Sequence, residues 1–332
     1  MAPMTRNRAE ANGDPNDLMR EYYQQRNSFG LIITEGTAPA LVGTAYPMIP
    51  GIYTDSQCDH WKPIVDAVHN GGAKIFMQLM HSGRISHVLT TRMVPWAPSA
   101  VKPKAEIYTP EGTKEMDTPH EMSETEVAQA VEDFVHAAKN AIAAGFDGVE
   151  LHAANGYLLH QFLADNTNVR TDRYGGSAEK RTNFVVEVTE KVVAAIGADK
   201  VGIRISPAGV FNDIHETETE ATYTILLKRL APFNLAYLHI ATQPAFDGIG
   251  FARKHWNGTL TVNSGYSDKT KVETANKLVE EGTADIFSFG RIALANPDLP
   301  KRLKEGLPLN EADPKTFYSR GPVGYTDYPA IS

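Results

Sequence analysis

The feature of this sequence that most constrains its fold is a repeated unit of two parts. A short apolar run rich in β-branched residues is followed by polar or glycine residues and then by a longer segment of helical period. Such alternation is typical of a parallel sheet whose strands are connected by helices. No Pro/Gly/Ser linker interrupts it, so one domain over residues 1–332 is predicted. The candidate strands are 31–35, 74–80, 147–151, 201–205, 236–240, 259–263 and 285–289.

Eight parallel strands close into a barrel without free edges, and residues 1–5 have the composition of the end of an eighth strand. We therefore predict an α/β fold, a (β/α)8 TIM barrel with a truncated first strand. If that strand stays short, the edges of strands 31–35 and 285–289 would be exposed. We then expect poor stability for a protein of just this length, an expectation that cooperative melting of a monomer at high temperature would contradict.

Helix signals lie between the strands. Ser123 and Glu126 form a capping box, and glycines follow several of the helical segments. The predicted helices are 17–27, 59–70, 123–144, 178–196, 218–231 and 269–281, with a short one after Pro297.

One connection departs from this alternation of strands and helices. Residues 82–122 contain five prolines, and loops of this length are uncommon and often functional. The aromatic residues Trp96 and Tyr108 favour an ordered excursion, which we interpret as a lid.

Composition excludes several classes of partner. The 32 Lys and Arg residues against 40 Asp and Glu give a net charge of −8 with no basic block, which argues against nucleic acid. No apolar run is long enough to span a membrane. The single cysteine, Cys58, cannot form an internal disulfide, and no Cys/His cluster has zinc spacing. A cytoplasmic protein without a structural metal is expected.

Polar residues and glycines follow the predicted strands. The carboxyl ends of the strands carry the active site in a parallel barrel, so these residues are expected to meet at one mouth. They are Thr5, Gly36, Gln78, His81, His152, Asn155, Tyr157, Arg204, Ser264, Gly265, Gly290 and Arg291.

The last four of these residues fall where barrels of this type usually bind phosphate. Glycines let backbone N–H groups approach an anion, and arginine adds further donors. The pattern indicates a phosphorylated ligand. The alternative is that Gly265 and Gly290 serve tight turns and that Arg291 forms a surface ion pair.

His152 and Asn155 are three residues apart and could hold one carbonyl oxygen, with Tyr157 close behind. Alternatively, His152 is a hydrogen-bonded core histidine, Asn155 caps the next turn and Tyr157 is a packed aromatic. Zinc is disfavoured because His152 and His160 are eight residues apart without a further ligand.

Arg204 ends an apolar strand and needs a negative partner, because an unpaired buried cation is costly. The partner is either a neighbouring carboxylate such as Glu150, in a salt bridge, or a ligand that becomes anionic.

Taken together, these residues resemble the old yellow enzyme family of FMN-dependent ene-reductases over nearly the whole chain. Thr5, rather than a cysteine, is similar to the branch that includes the yeast enzyme and the pentaerythritol tetranitrate and morphinone reductases. The motifs that carry the resemblance are MAPMTR (1–6), ITEG (33–36), QLMHSGR (78–84), HAANGYLLHQFL (152–163), RTDRYGGS (170–177), GIRISP (202–207), FGR (289–291), NPDL (296–299) and GYTDYP (324–329).

The resemblance implies tightly bound FMN across the barrel mouth. Gln78 would meet the pyrimidine edge of the flavin, and Arg204 would lie near N1 and O2, where reduced flavin is negative. The phosphate would lie on Gly265, Gly290 and Arg291. The full implied set is Pro3, Met4, Thr5, Gly36, Gln78, Arg204, Ser264, Gly265, Phe289, Gly290 and Arg291.

The resemblance also implies ping-pong reduction of activated alkenes, with NADPH as hydride donor and NADH as second choice. His152 and Asn155 would polarise the substrate and bind phenolic inhibitors, and Tyr157 would protonate it. Alternatives are a nitrate-ester or nitroaromatic reductase, a flavin- or phenol-binding protein without turnover, and a non-redox aldolase. A monomer or homodimer is expected.

Met80 departs from that branch, in which many members have tryptophan at this position. A flexible methionine should give the substrate pocket a different and more adaptable wall.

Overall fold

The computed structural model describes residues 1–264 and 272–331. Its central feature is a parallel sheet in which each strand pairs with the next in chain order. All seven strands predicted from the apolar runs are confirmed, with ends shifted by a few residues. They are β1 (Leu31–Ile33), β2 (Lys74–Leu79), β3 (Gly148–Ala153), β4 (Val201–Ile205), β5 (Tyr237–Ala241), β6 (Leu260–Asn263) and β7 (Ile286–Phe287).

The first residues of the chain lie between β1 and β7, at the position predicted for the eighth strand. The amide of Ile33 donates to the carbonyl of Met1 at 3.1 Å, and the amide of Ala2 donates to the carbonyl of Phe289 at 2.9 Å. Residues 1–5 are not assigned as a strand, but Met1 and Ala2 hydrogen-bond to both neighbours. The curled parallel sheet with its helices forms the predicted (β/α)8 barrel.

Helices cover the outside of the sheet, and their ends correct several predictions. The helix predicted at 59–70 begins at Asp55, because Thr54 and Gln57 form a capping box one turn earlier. The helix predicted at 178–196 is divided at Thr182. The described helices are α1 (Asp17–Gln24), α2 (Asp55–His69), α3 (Val88–Thr91), α4 (Glu124–Ala143), α5 (Leu158–Leu163), α6 (Ala178–Arg181), α7 (Asn183–Ile196), α8 (Thr219–Leu230), α9 (Gly248–His255), α10 (Val272–Glu280), α11 (Arg291–Ala295) and α12 (Leu299–Glu305).

The first residues of the helix predicted at 269–281 lie outside the described part of the chain, which resumes at α10. The short helices α3, α5, α9 and α11 were not predicted from the sequence. No described helix is long and apolar enough to cross a bilayer.

The 82–122 connection has ordered structure of its own. Residues Glu106–Thr109 and Gly112–Glu115 form an antiparallel hairpin, and Trp96–Ala97 pairs in parallel with His120–Glu121. The ordered excursion indicated by its aromatic residues is confirmed, and its action as a lid stays a prediction.

The N-terminal segment is tied to the end of β1 through the buried Glu35. Its carboxylate accepts a hydrogen bond from the amide of Arg6 and another from the hydroxyl of Tyr23, each at 3.3 Å. Burial raises the pKa of Glu35 to about 7, although the Arg6 hydrogen bond and the Arg6 and Arg8 charges oppose this shift. Glu35 therefore holds Arg6 in place but resists ionisation.

This environment predicts a pH-dependent stability. Because the Glu35 carboxyl binds its proton more tightly in the folded than in the unfolded state, the free energy of unfolding should fall by about 3 kcal/mol as pH rises from roughly 4.5 to 7. Glu35→Gln removes this term, so its stability relative to wild type should be greater at pH 8 than at pH 5. Chemical denaturation at both values, with the exposed Glu111→Gln as control, measures the difference. An equal difference at both values would contradict the prediction.

Candidate active site

The parallel register brings the predicted polar side chains together at the carboxyl ends of the strands. Gln78 on β2 lies opposite Glu150 on β3, and His152 on β3 lies opposite Arg204 on β4. Arg204 in turn lies opposite His239 on β5. All five side chains are buried. The convergence expected from the strand ends is confirmed for these neighbouring strands.

The side chain of Arg204 bonds to an amide and not to a carboxylate. Its Nη2 donates to Oδ1 of Asn263 at 3.1 Å, and among the described residues it forms no ion pair with Glu150 or with any other carboxylate. Glu150 instead accepts from Nε2 of Gln78 at 2.8 Å and from Nδ1 of His239 at 2.7 Å. The salt-bridge alternative is therefore wrong.

His239 and Asn263 were missed by the sequence analysis. Each lies in a short strand that is mostly apolar, which gives little indication of a site. Nε2 of His239 lies 2.9 Å from Oγ of Ser288, and Nδ2 of Asn263 donates to the carbonyl of Ser288 at 3.0 Å. The shared contact with Ser288, the residue after β7, shows that His239 and Asn263 belong to one network.

The end of β3 and the connection that follows it to α5 carry the three residues proposed for substrate chemistry: His152 lies on β3, and Asn155 and Tyr157 lie after it. The rings of His152 and Tyr157 are 5.1 Å apart. Nδ1 of His152 is buried and has no hydrogen-bond partner among the described residues, which disfavours a hydrogen-bonded core histidine. Burial, reinforced by the charge of Arg204, lowers the pKa of His152 well below its usual value, so the imidazole is neutral.

Tyr157 and Asn155 are held by their surroundings in different ways. The hydroxyl of Tyr157 lies 3.3 Å from that of Tyr46. Asn155 has a φ of 57°, and its amide donates to Oγ of Ser206 at 2.9 Å. The residue at the N-cap of α5 is Tyr157, so the alternative in which Asn155 caps this turn is wrong.

Gly36 and Met80 form one wall of the mouth. A Cβ atom added at Gly36 would lie 2.5 Å from Sδ of Met80, closer than real Cβ atoms approach other atoms. Met80 is buried in a cluster with Tyr157, Ala38 and Ile49. Met80 and the candidate proton donor Tyr157 therefore belong to one buried cluster, and the effect of Met80 on the substrate pocket stays a prediction.

The expected phosphate residues lie at the ends of β6 and β7. Ser264, Phe289 and Gly290 are half-buried, Arg291 is exposed with its guanidinium 5.9 Å from the ring of Phe317, and Gly265 lies outside the described residues. Gly290 has a φ of −96°, and nothing lies within 4 Å of an added Cβ. With a ψ of −90° Gly290 lies outside the common helical and extended regions, and its backbone is open to approach.

Pro3, Met4 and Thr5 are half-buried beside this end of the sheet. Met4 packs against a small cluster that contains Leu294 and Phe317. Residues 3–5 thus lie between the barrel mouth and the C-terminal part of the chain that contains Leu294 and Phe317.

The donor set at the mouth fits FMN. The pyrimidine edge of a flavin combines carbonyl oxygens with an N–H group, and the Gln78 amide and the Arg204 guanidinium supply complementary groups. Nε of Arg204 is buried and has no partner among the described residues, as expected for a donor that faces a ligand. The barrel and this donor set define the class as an FMN-binding oxidoreductase barrel.

Comparison with known proteins specifies the family. The model of the NADH:flavin oxidoreductase / NADH oxidase family matches residues 1–310. The chain belongs to this family, whose members include the old yellow enzymes. It is a family of FMN-dependent NAD(P)H oxidoreductases that includes alkene reductases. The resemblance stated from the motifs is confirmed.

Two curated relatives illustrate the similarity. A putative 12-oxophytodienoate reductase 3 from Oryza sativa subsp. japonica is 42% identical over 344 residues, which cover 100% of this chain and 88% of the relative. A probable flavin mononucleotide-dependent alkene reductase from Leishmania infantum is 41% identical over 342 residues, which cover 99% of this chain and 92% of the relative.

Two solved structures are similarly close. The old yellow enzyme homologue from Zymomonas mobilis superimposes with a TM-score of 0.96 at 38% identity, covering 100% of this chain and 95% of that chain. Morphinone reductase in complex with tetrahydroNAD gives a TM-score of 0.95 at 40% identity, covering 100% and 93%.

The close approach of Gly36 to Met80 predicts an energetic coupling. Gly36→Ala alone should lower stability by about 1 to 3 kcal/mol, because the thioether must move within a packed cluster. In a Met80→Ala background the same change should cost less than about 1 kcal/mol. Denaturation of the two single variants, the double variant and wild type measures the coupling, and equal costs of Gly36→Ala in both backgrounds would contradict it.

Proposed function

We propose that this protein uses FMN and NADPH to reduce the C=C bond of activated alkenes, such as α,β-unsaturated carbonyl compounds and nitroalkenes. The observation that carries the proposal is the buried, unpaired Nδ1 of the neutral His152 beside the ring of Tyr157. The names of the relatives, which include an alkene reductase, support the same reaction. NADPH is the proposed hydride donor and NADH the second candidate.

FMN would be held by side chains and backbone from both halves of the barrel. Gln78 and Arg204 would bind the pyrimidine edge, and Gly265, Gly290 and Arg291 the phosphate. When bound, FMN supplies the hydride transfer between the nicotinamide and the alkene. The remaining residues of this proposed site are Pro3, Met4, Thr5, Gly36, Ser264 and Phe289.

His152 and Asn155 would bind the electron-withdrawing oxygen of the alkene. A neutral imidazole keeps one N–H donor, and the Asn155 amide adds two. Hydrogen bonds to an oxygen on which negative charge develops stabilise the transition state more than the bound substrate. These two residues therefore orient the substrate and polarise it.

Tyr157 would protonate the α carbon. A phenol is protonated at neutral pH and can act as a general acid. The hydroxyl of Tyr46, 3.3 Å away, can hydrogen-bond to that of Tyr157 and hold it in place. The pair gives the proposed proton donor a fixed position at the pocket wall.

The role of Tyr157 predicts a selective loss. In Tyr157→Phe, reoxidation of the reduced protein by an enone should slow by about 10² or more, because the general acid is lost. Bleaching of the yellow protein by NADPH under anaerobic conditions should continue at the wild-type rate. Stopped-flow absorbance measures both steps, with Tyr53→Phe as a matched control from the same cluster.

Unchanged enone turnover in Tyr157→Phe would show that another group donates the proton. A yellow wild-type protein that NADPH does not bleach would instead indicate a flavin-binding protein without turnover.

The role of His152 predicts weaker binding of phenolic ligands. His152→Ala removes a hydrogen bond to a phenolate oxygen, so the Kd for 4-hydroxybenzaldehyde should rise about tenfold or more. Absorbance titration of the FMN-loaded protein measures it, with His69→Ala, at the opposite end of the barrel, as control. Undiminished affinity would contradict the proposed role of His152.

A further inference from the structure

A buried network crosses the barrel interior beneath the mouth, and the roles proposed above do not use its central pair. It runs from Gln78 to Glu150, from Glu150 to His239 and from His239 to Ser288, with distances of 2.8, 2.7 and 2.9 Å. Glu150 and His239 are both fully buried. They lie on β3 and β5, on either side of the strand that carries Arg204.

The carboxylate of Glu150 determines which way the Gln78 amide faces. An ionised carboxylate only accepts hydrogen bonds, so it must face the amide nitrogen of Gln78. The amide oxygen is then directed away from Glu150. A neutral amide at position 150 could either donate or accept, and both orientations of Gln78 would become available. The charge on Glu150 thus specifies the pattern of donors and acceptors that Gln78 presents.

His239 holds this carboxylate without adding a charge. Burial, reinforced by the charge of Arg204, lowers the pKa of His239, so the neutral ring donates from Nδ1 to Glu150 and accepts at Nε2 from Ser288. Burial opposes ionisation of Glu150, but the interactions with His239, Arg204 and Gln78 together keep its pKa below the usual value. Glu150 therefore carries the negative charge that balances Arg204.

We propose that Glu150, held by His239, is a positioning residue for FMN, which fixes the orientation of the Gln78 amide and offsets the charge of Arg204. This inference rests on the proposed function, because it assumes that FMN binds at this mouth. Two consequences follow. Loss of the carboxylate should weaken binding through Gln78, and it should also change the balance between oxidised and reduced FMN.

The direction of the second consequence follows from the charges. Reduced flavin is more negative than oxidised flavin at the edge near Arg204, so a positive potential favours reduction. Glu150 opposes that potential. Removing its charge should therefore move the midpoint potential of bound FMN in the positive direction.

The test is Glu150→Gln, measured on the FMN-loaded protein and on apoprotein titrated with FMN. The Kd for FMN should rise about tenfold or more, since one charged hydrogen-bond acceptor is lost. The midpoint potential should become more positive by about 30 mV, which corresponds to a tenfold change in relative affinity for a two-electron couple. Glu150→Asp keeps the charge but withdraws the carboxylate from Gln78, so it should weaken binding and leave the potential at the wild-type value.

Asp147→Asn is the matched control, because this carboxylate lies just before β3 and also contacts a histidine, His69. It should change neither quantity. Wild-type affinity and potential in Glu150→Gln would overturn the inference. If Glu150→Gln does not fold, wild-type FMN affinity in Glu150→Asp would overturn it. A wild-type protein that binds no FMN would instead overturn the proposed function itself.

Discussion

The constraint on which the site depends is the register of the parallel strands. Pairing of Gln78 with Glu150, and of His152 with Arg204 and Arg204 with His239, brings ionisable and amide side chains of neighbouring strands together inside the barrel. A buried charge without partners is strongly destabilising, and a shift of one residue would turn these side chains to the other face of the sheet. The apolar strands that specify the barrel therefore also specify its buried polar layer.

Within that layer the two buried histidines have different surroundings. Both nitrogens of His239 are paired, one with Glu150 and one with Ser288, and the ring serves the network. His152 keeps Nδ1 without a partner among the described residues, although it is buried to a similar degree. Since an unpaired buried nitrogen costs free energy, its retention at the mouth is consistent with a ligand that completes it.

The sequence was sufficient for the strands and for the residues at their ends, because both follow from local patterns of apolar and polar residues. It was insufficient to identify hydrogen-bond partners that lie on strands distant in the sequence. Arg204 was given Glu150 as an alternative partner, yet it bonds to Asn263, 59 residues further along the chain. The short helix α5 was also missed, since six residues show too little periodicity.

The segment that carries Thr5 is not itself a strand, and besides the hydrogen bonds of Met1, Ala2 and Glu35 its position is set by two buried arginines. Arg6 donates to the carbonyls of Phe317 and Gly324, and Arg8 donates to those of Thr316, Phe317, Gly321 and Val323. The planar guanidinium can satisfy several carbonyls at once, which a lysine cannot do with the same geometry. The two ends of the described chain therefore hold each other in place beside the barrel mouth.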